Sequence, residues 1–164
     1  MLSQKDKLKI ARRWMETAKN EYEDLMKVEA VAMGSMGLTA RYDAMGGGGS
    51  GLSDHTANIA MTSVKVTETY WRKMQWLDVI MDVYGYYAST MDKKMYPKSL
   101  LRMAHDRAVA RVLYGRVFRG WTMKEIGESL KVGGMDKTRQ GLSKLSREAV
   151  EMIAELADER GLYG

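Results

Sequence analysis

The sequence of 164 residues predicts an all-α protein, a long helical hairpin or coiled coil followed by a C-terminal helix-turn-helix module. Three observations point there. Apolar residues recur at alternating spacings of three and four over several long stretches. No stretch alternates apolar and polar residues for long enough to make a strand. One glycine-rich segment interrupts the periodic runs.

The first run, from Leu2 to about Met33, places Leu8, Ala11, Met15, Ala18, Tyr22 and Leu25 on one stripe, with Lys, Arg, Glu and Asp on the other faces. Such a heptad-like stripe needs a partner surface, so residues 1–33 are predicted as one long helix. Residues 34–53 break the pattern. Seven of the eight residues from Gly46 to Ser53 are Gly or Ser, whose chain entropy opposes regular structure, and a flexible connector is expected. A phosphate-binding loop fits poorly: there is no GxxxxGKS or GxxxxGKT, and no strand pattern precedes the glycines.

A second long helix is predicted over residues 54–95, opening at Ser53 or Asp54, both good N-caps. Trp71, Met74, Leu77, Met81, Tyr84, Ala88 and Met91 step by threes and fours along it. The two long helices can cover each other as an antiparallel pair, or each can pair with a second copy as a homodimer. The pattern allows either.

Residues 97–164 are predicted as the C-terminal domain. Pro97 suits the first turn of a helix over Lys98–Arg119 that gathers Leu101, Ala104, Ala108 and Val112 on one face. Gly120 ends that helix, and Thr122 caps the next with Glu125 three residues on. The short helix Met123–Lys131 presents Met123, Ile126, Gly127 and Leu130 together, and Gly127 is small where a second helix must cross closely. Val132 reads as an apolar anchor, Gly133 and Gly134 as the turn, and Asp136 as the start of the last helix. That helix sets Thr138, Leu142, Leu145, Ala149, Met152 and Leu156 against Gln140, Ser143, Lys144 and Arg147, with Lys137 and Arg139 on the flanks. Gly141 within it costs about 1 kcal/mol relative to alanine. The expected module core is Ile126, Gly127, Leu130, Val132, Leu142 and Leu145.

Charge separates sharply along this domain. Lys98–Arg147 holds twelve Lys/Arg against four Asp/Glu, whereas Glu148–Gly164 holds five acids and one arginine. A basic block beside an acidic tail points to a polyanion-binding surface confined to one stretch. Amide, hydroxyl and basic side chains opposite an apolar face are the layout of a recognition helix, so Lys137, Arg139, Gln140, Ser143, Lys144 and Arg147 are the expected contacts to double-stranded DNA.

Trp121–Val132, WTMKEIGESLKV, resembles the helix-turn-helix in the fourth region of sigma-70-type factors, and the preceding ARVLYGRVFRG is similar to the helix leading into it. Over a wider span the chain looks like small phage late-transcription regulators of the ArpU and RinA type. There the resemblance rests also on Leu38, Thr39, Ala40, Arg41, Tyr42 and Asp43 and on Ser53, Asp54 and Asn58. It implies a transcriptional regulator that binds promoter DNA and also touches RNA polymerase. The GGMD turn is about one residue longer than the sigma-like pattern, and Lys131 stands where glycine is common.

Other classes fit less well. No apolar run approaches 18 residues, so no membrane span or membrane partner is expected. The N-terminus lacks the apolar core of a secretion signal, and a cytoplasmic setting is expected, that of the bacterial host if the chain is phage-encoded. There is no cysteine, and His55 and His105 have no partner at ligand spacing, so neither metal nor cofactor is expected. No nucleophile motif appears, and Asp158 and Glu159 read as solvated, so the chain is not expected to be an enzyme. Two rivals remain. A DNA-packaging protein like a small terminase subunit would assemble as a ring of many copies, and a protein-only adaptor docking on RNA polymerase would bind no DNA even at low salt.

Overall fold

The computed structural model describes residues 1–44 and 52–164, so residues 45–51 of the predicted connector lie outside it. The described residues are all-helical: α1 Gln4–Ala44, α2 Leu52–Ala88, α3 Leu100–Leu113, α4 Met123–Val132 and α5 Arg139–Glu159. An isolated antiparallel bridge, Met91 to Pro97, is the only extended pairing among them. None of the described helices is long and apolar enough to cross a membrane. Helix α1 continues past Met33 through Gly34 and Gly37. Two isolated glycines cost about 1 kcal/mol each, and extending an existing helix is far easier than nucleating one.

The chain divides into two compact units, residues 20–74 and residues 1–19 with 75–164. In the first, Leu25 is buried, Lys73 of α2 pairs with Glu21 of α1 at 2.6 Å, and Tyr70 meets Trp71 edge-on. Tyr22, expected in the α1 stripe, is 57% exposed.

In the larger unit Ala11, Met15 and Ala18 of α1 are buried as expected, and Trp14 stacks on Trp76 of α2 with ring centroids 5.3 Å apart. The buried face of α2 differs from the expected stripe. Trp76, Leu77, Val79, Ile80, Val83 and Tyr87 are inside, whereas Met81 is 46% and Trp71 60% exposed, and Ala88 is exposed. The polar positions explain the choice. Gln75, Asp78, Asp82 and Gly85 form their own three-four stripe, all exposed, and the face opposite them runs through Trp76, Ile80, Val83 and Tyr87. Ionic solvation thus decides a register that apolar spacing leaves open.

Helix α3 departs similarly in its first turns. Leu101 is 87% exposed and Ala104 is exposed, while Ala108, Val109, Val112 and Leu113 are buried. Pro97 precedes the helix instead of starting it. Ser99 is the N-cap, its hydroxyl accepting from Arg102 N at 3.2 Å. The loop before it is closed by Asp92, whose Oδ1 accepts from the Lys94 and Tyr96 amides at 2.9 and 2.8 Å.

The chain's last residues close onto α1 and α2. Tyr163 donates its hydroxyl to the Lys7 carbonyl at 3.0 Å and meets Trp76 edge-on, and Lys7 pairs with Asp158 at 2.8 Å. Asp158 is exposed as expected, its side chain 52% accessible, and also serves as an ion-pair partner. Burial, reinforced by the negative charge of Asp158, pushes the Tyr163 hydroxyl up to about 12. The folded state then keeps a proton that the unfolded chain releases near pH 10, so stability is intact below about pH 10 and declines as pH rises toward 12. Tyr163→Phe is expected to flatten that decline in urea melts at alkaline pH; an unchanged slope would show that the fold does not hold this proton.

Candidate nucleic-acid interface

The segment that carries the chemistry begins where α3 passes into a π-helical stretch, Tyr114–Arg119. The wide turn leaves the Gly115 carbonyl to accept from Trp121 N at 2.8 Å, and Gly120 takes a left-handed φ of 65° that reverses the chain. Thr122 then caps α4 as expected, its hydroxyl accepting from Glu125 N at 3.3 Å. Ile126 and Leu130 face the core and are fully buried.

Val132 does not anchor the turn. It is 90% exposed, because it lies about 200° around the helix from buried Leu130. Gly134, at φ 81°, closes α4 instead, donating to the Lys131 carbonyl at 3.1 Å, and Met135 N donates to the Leu130 carbonyl at 2.8 Å. Half-buried Met135 occupies the position expected of Val132. Helix α5 starts at Arg139 and not at Asp136. Thr138 is its N-cap, accepting from Gly141 N at 3.1 Å, so Thr138 is exposed and not part of the apolar face. Gly141 falls in the first turn, where its amide is the capped one. Leu142 and Leu145 are buried as expected, and the face continues through Ala149, Ile153 and Ala157, with Met152 and Leu156 only half-buried at its edge.

Two glycines face neighbouring elements, and they differ in how closely. A Cβ on Gly115 would lie 2.7 Å from Ile126 Cγ1 and 2.9 Å from Trp121 Cε3. A Cβ on Gly127 would meet only Leu142 Cδ1, the tip of a flexible side chain, at 3.0 Å. Gly115→Ala is therefore expected to cost about 1–3 kcal/mol through overpacking. Gly127→Ala should stay within about 0.5 kcal/mol of wild type, since better helix propensity offsets a contact that can give. Equal losses in chemical denaturation would remove this ranking. The tightest approach is therefore at Gly115 and not at Gly127, where the close crossing was expected, and nothing local in the sequence marks where α4 will pass Gly115.

All six expected contact residues, Lys137, Arg139, Gln140, Ser143, Lys144 and Arg147, are exposed. Arg139, Ser143 and Arg147 line a groove of about 820 Å³ together with Arg12 and Glu16 of α1, Arg116 of the π segment, Met123 and Lys124 of α4, and Leu142 and Ser146. By helical angle, Gln140 and Lys144 lie on the adjacent outer face of α5. Five cations and one carboxylate border the groove. The first turn of α5 holds no acid and its last turn no base, the reverse of what the helix dipole favours. Sequence reasoning missed Arg12, Arg116 and Lys124. Lys124 could have been found as an exposed base on α4, but only tertiary packing brings α1 to this groove.

A second polar cluster lies between α2, α3 and α5. His105 Nε2 is 2.6 Å from Glu148 Oε2, and the Tyr87 hydroxyl donates to Glu148 Oε1 at 3.4 Å. Burial and the Glu148 charge raise the Tyr87 pKa. His105, Asp106 and Glu148 present ligand-type atoms within 4.8 Å of one another, but Asp106 also pairs at 2.8 Å with Lys98, whose side chain is fully buried. That fixed ammonium opposes a metal cation. No protein-family model matches the chain, and neither does any curated protein or solved structure.

Proposed function

We propose that the chain is a sequence-specific DNA-binding transcriptional regulator of the phage late-transcription type, with α4 and α5 acting as a helix-turn-helix and binding, not catalysis, as its mechanism. The observation that carries this reading is the charge order on α5. Lys137 and Arg139 flank its N-terminus and Lys144 and Arg147 follow, while Glu151, Glu155, Asp158 and Glu159 occupy the far half. Cations beside the positive end of a helix dipole cost about 0.3–1 kcal/mol each in the first turn. A phosphate brought to that end converts the cost into attraction, because both the free amides and the basic side chains then face an anion. The contact of Gly127 with Leu142 of α5 and the likeness of Trp121–Val132 to sigma-type modules point the same way.

In this reading Gln140 and Lys144 on the outer face reach base edges, and Lys137 and Arg139 hold phosphates. Gln140→Ala should relax preference at one base position, costing about 1–3 kcal/mol on the cognate site. Arg139→Ala should weaken cognate and scrambled duplexes alike and lower the salt slope by about one unit. Titrations of both duplexes at several salt concentrations separate the two roles. If neither variant alters affinity for any duplex, α5 does not face DNA. A second reading, docking on a protein such as RNA polymerase, is supported by exposed Met95, Tyr96, Leu100 and Leu101, which are 74%, 66%, 82% and 87% accessible. It predicts polymerase capture that is lost in Leu100→Glu/Leu101→Glu.

A further inference from the structure

We propose that the groove beside α5 seats the sugar–phosphate backbone of the duplex, and that Arg12 of α1 and Arg116 of the π segment contact phosphates from outside the two-helix module. This rests on the DNA-binding reading above and extends it to a helix far away in sequence. The groove brings Arg12, Arg116, Lys124, Arg139 and Arg147 to one concave surface with the Ser143 and Ser146 hydroxyls between them. Phosphodiester oxygens are recognised by such a mixture of guanidinium, ammonium and hydroxyl donors, whereas base edges need fewer charges and a fixed fork.

Arg116 also has spare donor capacity. Its Nη1 reaches the Trp121 carbonyl only at 3.4 Å, its Nη2 lies 3.8 Å from Glu16 Oε1, and its buried Nε has no acceptor among the described residues. The buried Nε is closed to a ligand, but the loosely engaged Nη1 and Nη2 are suited to exchange Glu16 for a phosphate. Glu16, half exposed in the same groove, holds Arg116 in place without DNA and repels the backbone when DNA arrives. α1 thus becomes part of the binding surface and does more than brace the module.

The test measures binding of the full chain to a mixed-sequence duplex by fluorescence anisotropy over a salt series, with melting curves to confirm folding. Arg12→Ala is expected to lower the log–log salt slope by about one unit. Arg13→Ala removes the same charge from the same helix at an exposed position outside the groove, and should leave the slope nearly unchanged. Glu16→Gln should tighten duplex binding several-fold. Equal slope changes for Arg12→Ala and Arg13→Ala would overturn the groove assignment. So would a wild-type slope in Arg12→Ala while Arg139→Ala still weakens binding, and in that case the DNA-binding reading survives. A wild-type chain that binds no duplex overturns both. Tighter binding to single-stranded RNA with the same Arg12 dependence would assign the groove to a different polymer.

Discussion

Lys98→Ala is expected to lower the unfolding free energy by about 3–5 kcal/mol, although Lys98 is not one of the proposed DNA contacts. Its ammonium is fully buried, 2.8 Å from Asp106 Oδ2, and donates to the Tyr86 carbonyl at 2.7 Å near the end of α2. It also sits 4.9 Å from the Tyr86 ring centroid. One side chain therefore neutralises a buried carboxylate, satisfies a carbonyl at the negative end of α2 and fixes where α3 begins. Removing it leaves Asp106, 5% exposed, with only Arg102 Nε at 3.7 Å for compensation among the described residues. Lys98→Met/Asp106→Leu should recover most of the loss, because burying two apolar chains avoids the desolvation that the ion pair must offset. Urea unfolding of the single and double variants checks this. A single variant within about 0.5 kcal/mol of wild type would show that water reaches the pair and screens it.

That pair also marks the limit of what the sequence discloses. The all-helical class, the Gly120 stop and the Thr122 cap were legible because each depends on a few neighbouring residues. The α5 cap was displaced by two residues because Asp136 and Thr138 are both competent caps, and the turn closing α4 decides between them. Val132 was misplaced because the turn needs an apolar residue after its glycines, and Met135 was available two residues beyond Gly133. Lys98, Arg12 and Arg116 carry no local signal. Lys98 is buried only because Asp106 and the Tyr86 carbonyl await it, and Arg12 meets α5 only through packing of α1 in the same unit. The exposure of Lys137, Arg139, Gln140, Ser143, Lys144 and Arg147 was legible because helical angle is a property of one element. The groove that Arg139, Ser143 and Arg147 share with α1 was not.

The second large effect concerns α2, where two apolar stripes compete. Ile80→Ala is expected to cost about 2–5 kcal/mol, since Ile80 is 1% exposed and its truncation leaves a cavity that neighbours fill only partly. Met81→Ala should cost far less, within about 1 kcal/mol, because Met81 is 46% exposed and an alanine raises helix propensity. Apolar spacing alone assigns the opposite order, placing Met81 in the Leu77–Tyr84 stripe and Ile80 beside it. The arbitration comes from Asp78: turning its carboxylate toward the core without a partner costs more than exposing one thioether. Asp82 confirms its side of the helix by pairing with Arg160 while remaining 56% exposed. Thermal or urea unfolding of the two alanine variants separates the registers directly. A larger loss from Met81→Ala than from Ile80→Ala would mean that α2 is rotated by about 100° from this arrangement, turning Asp78 toward the core.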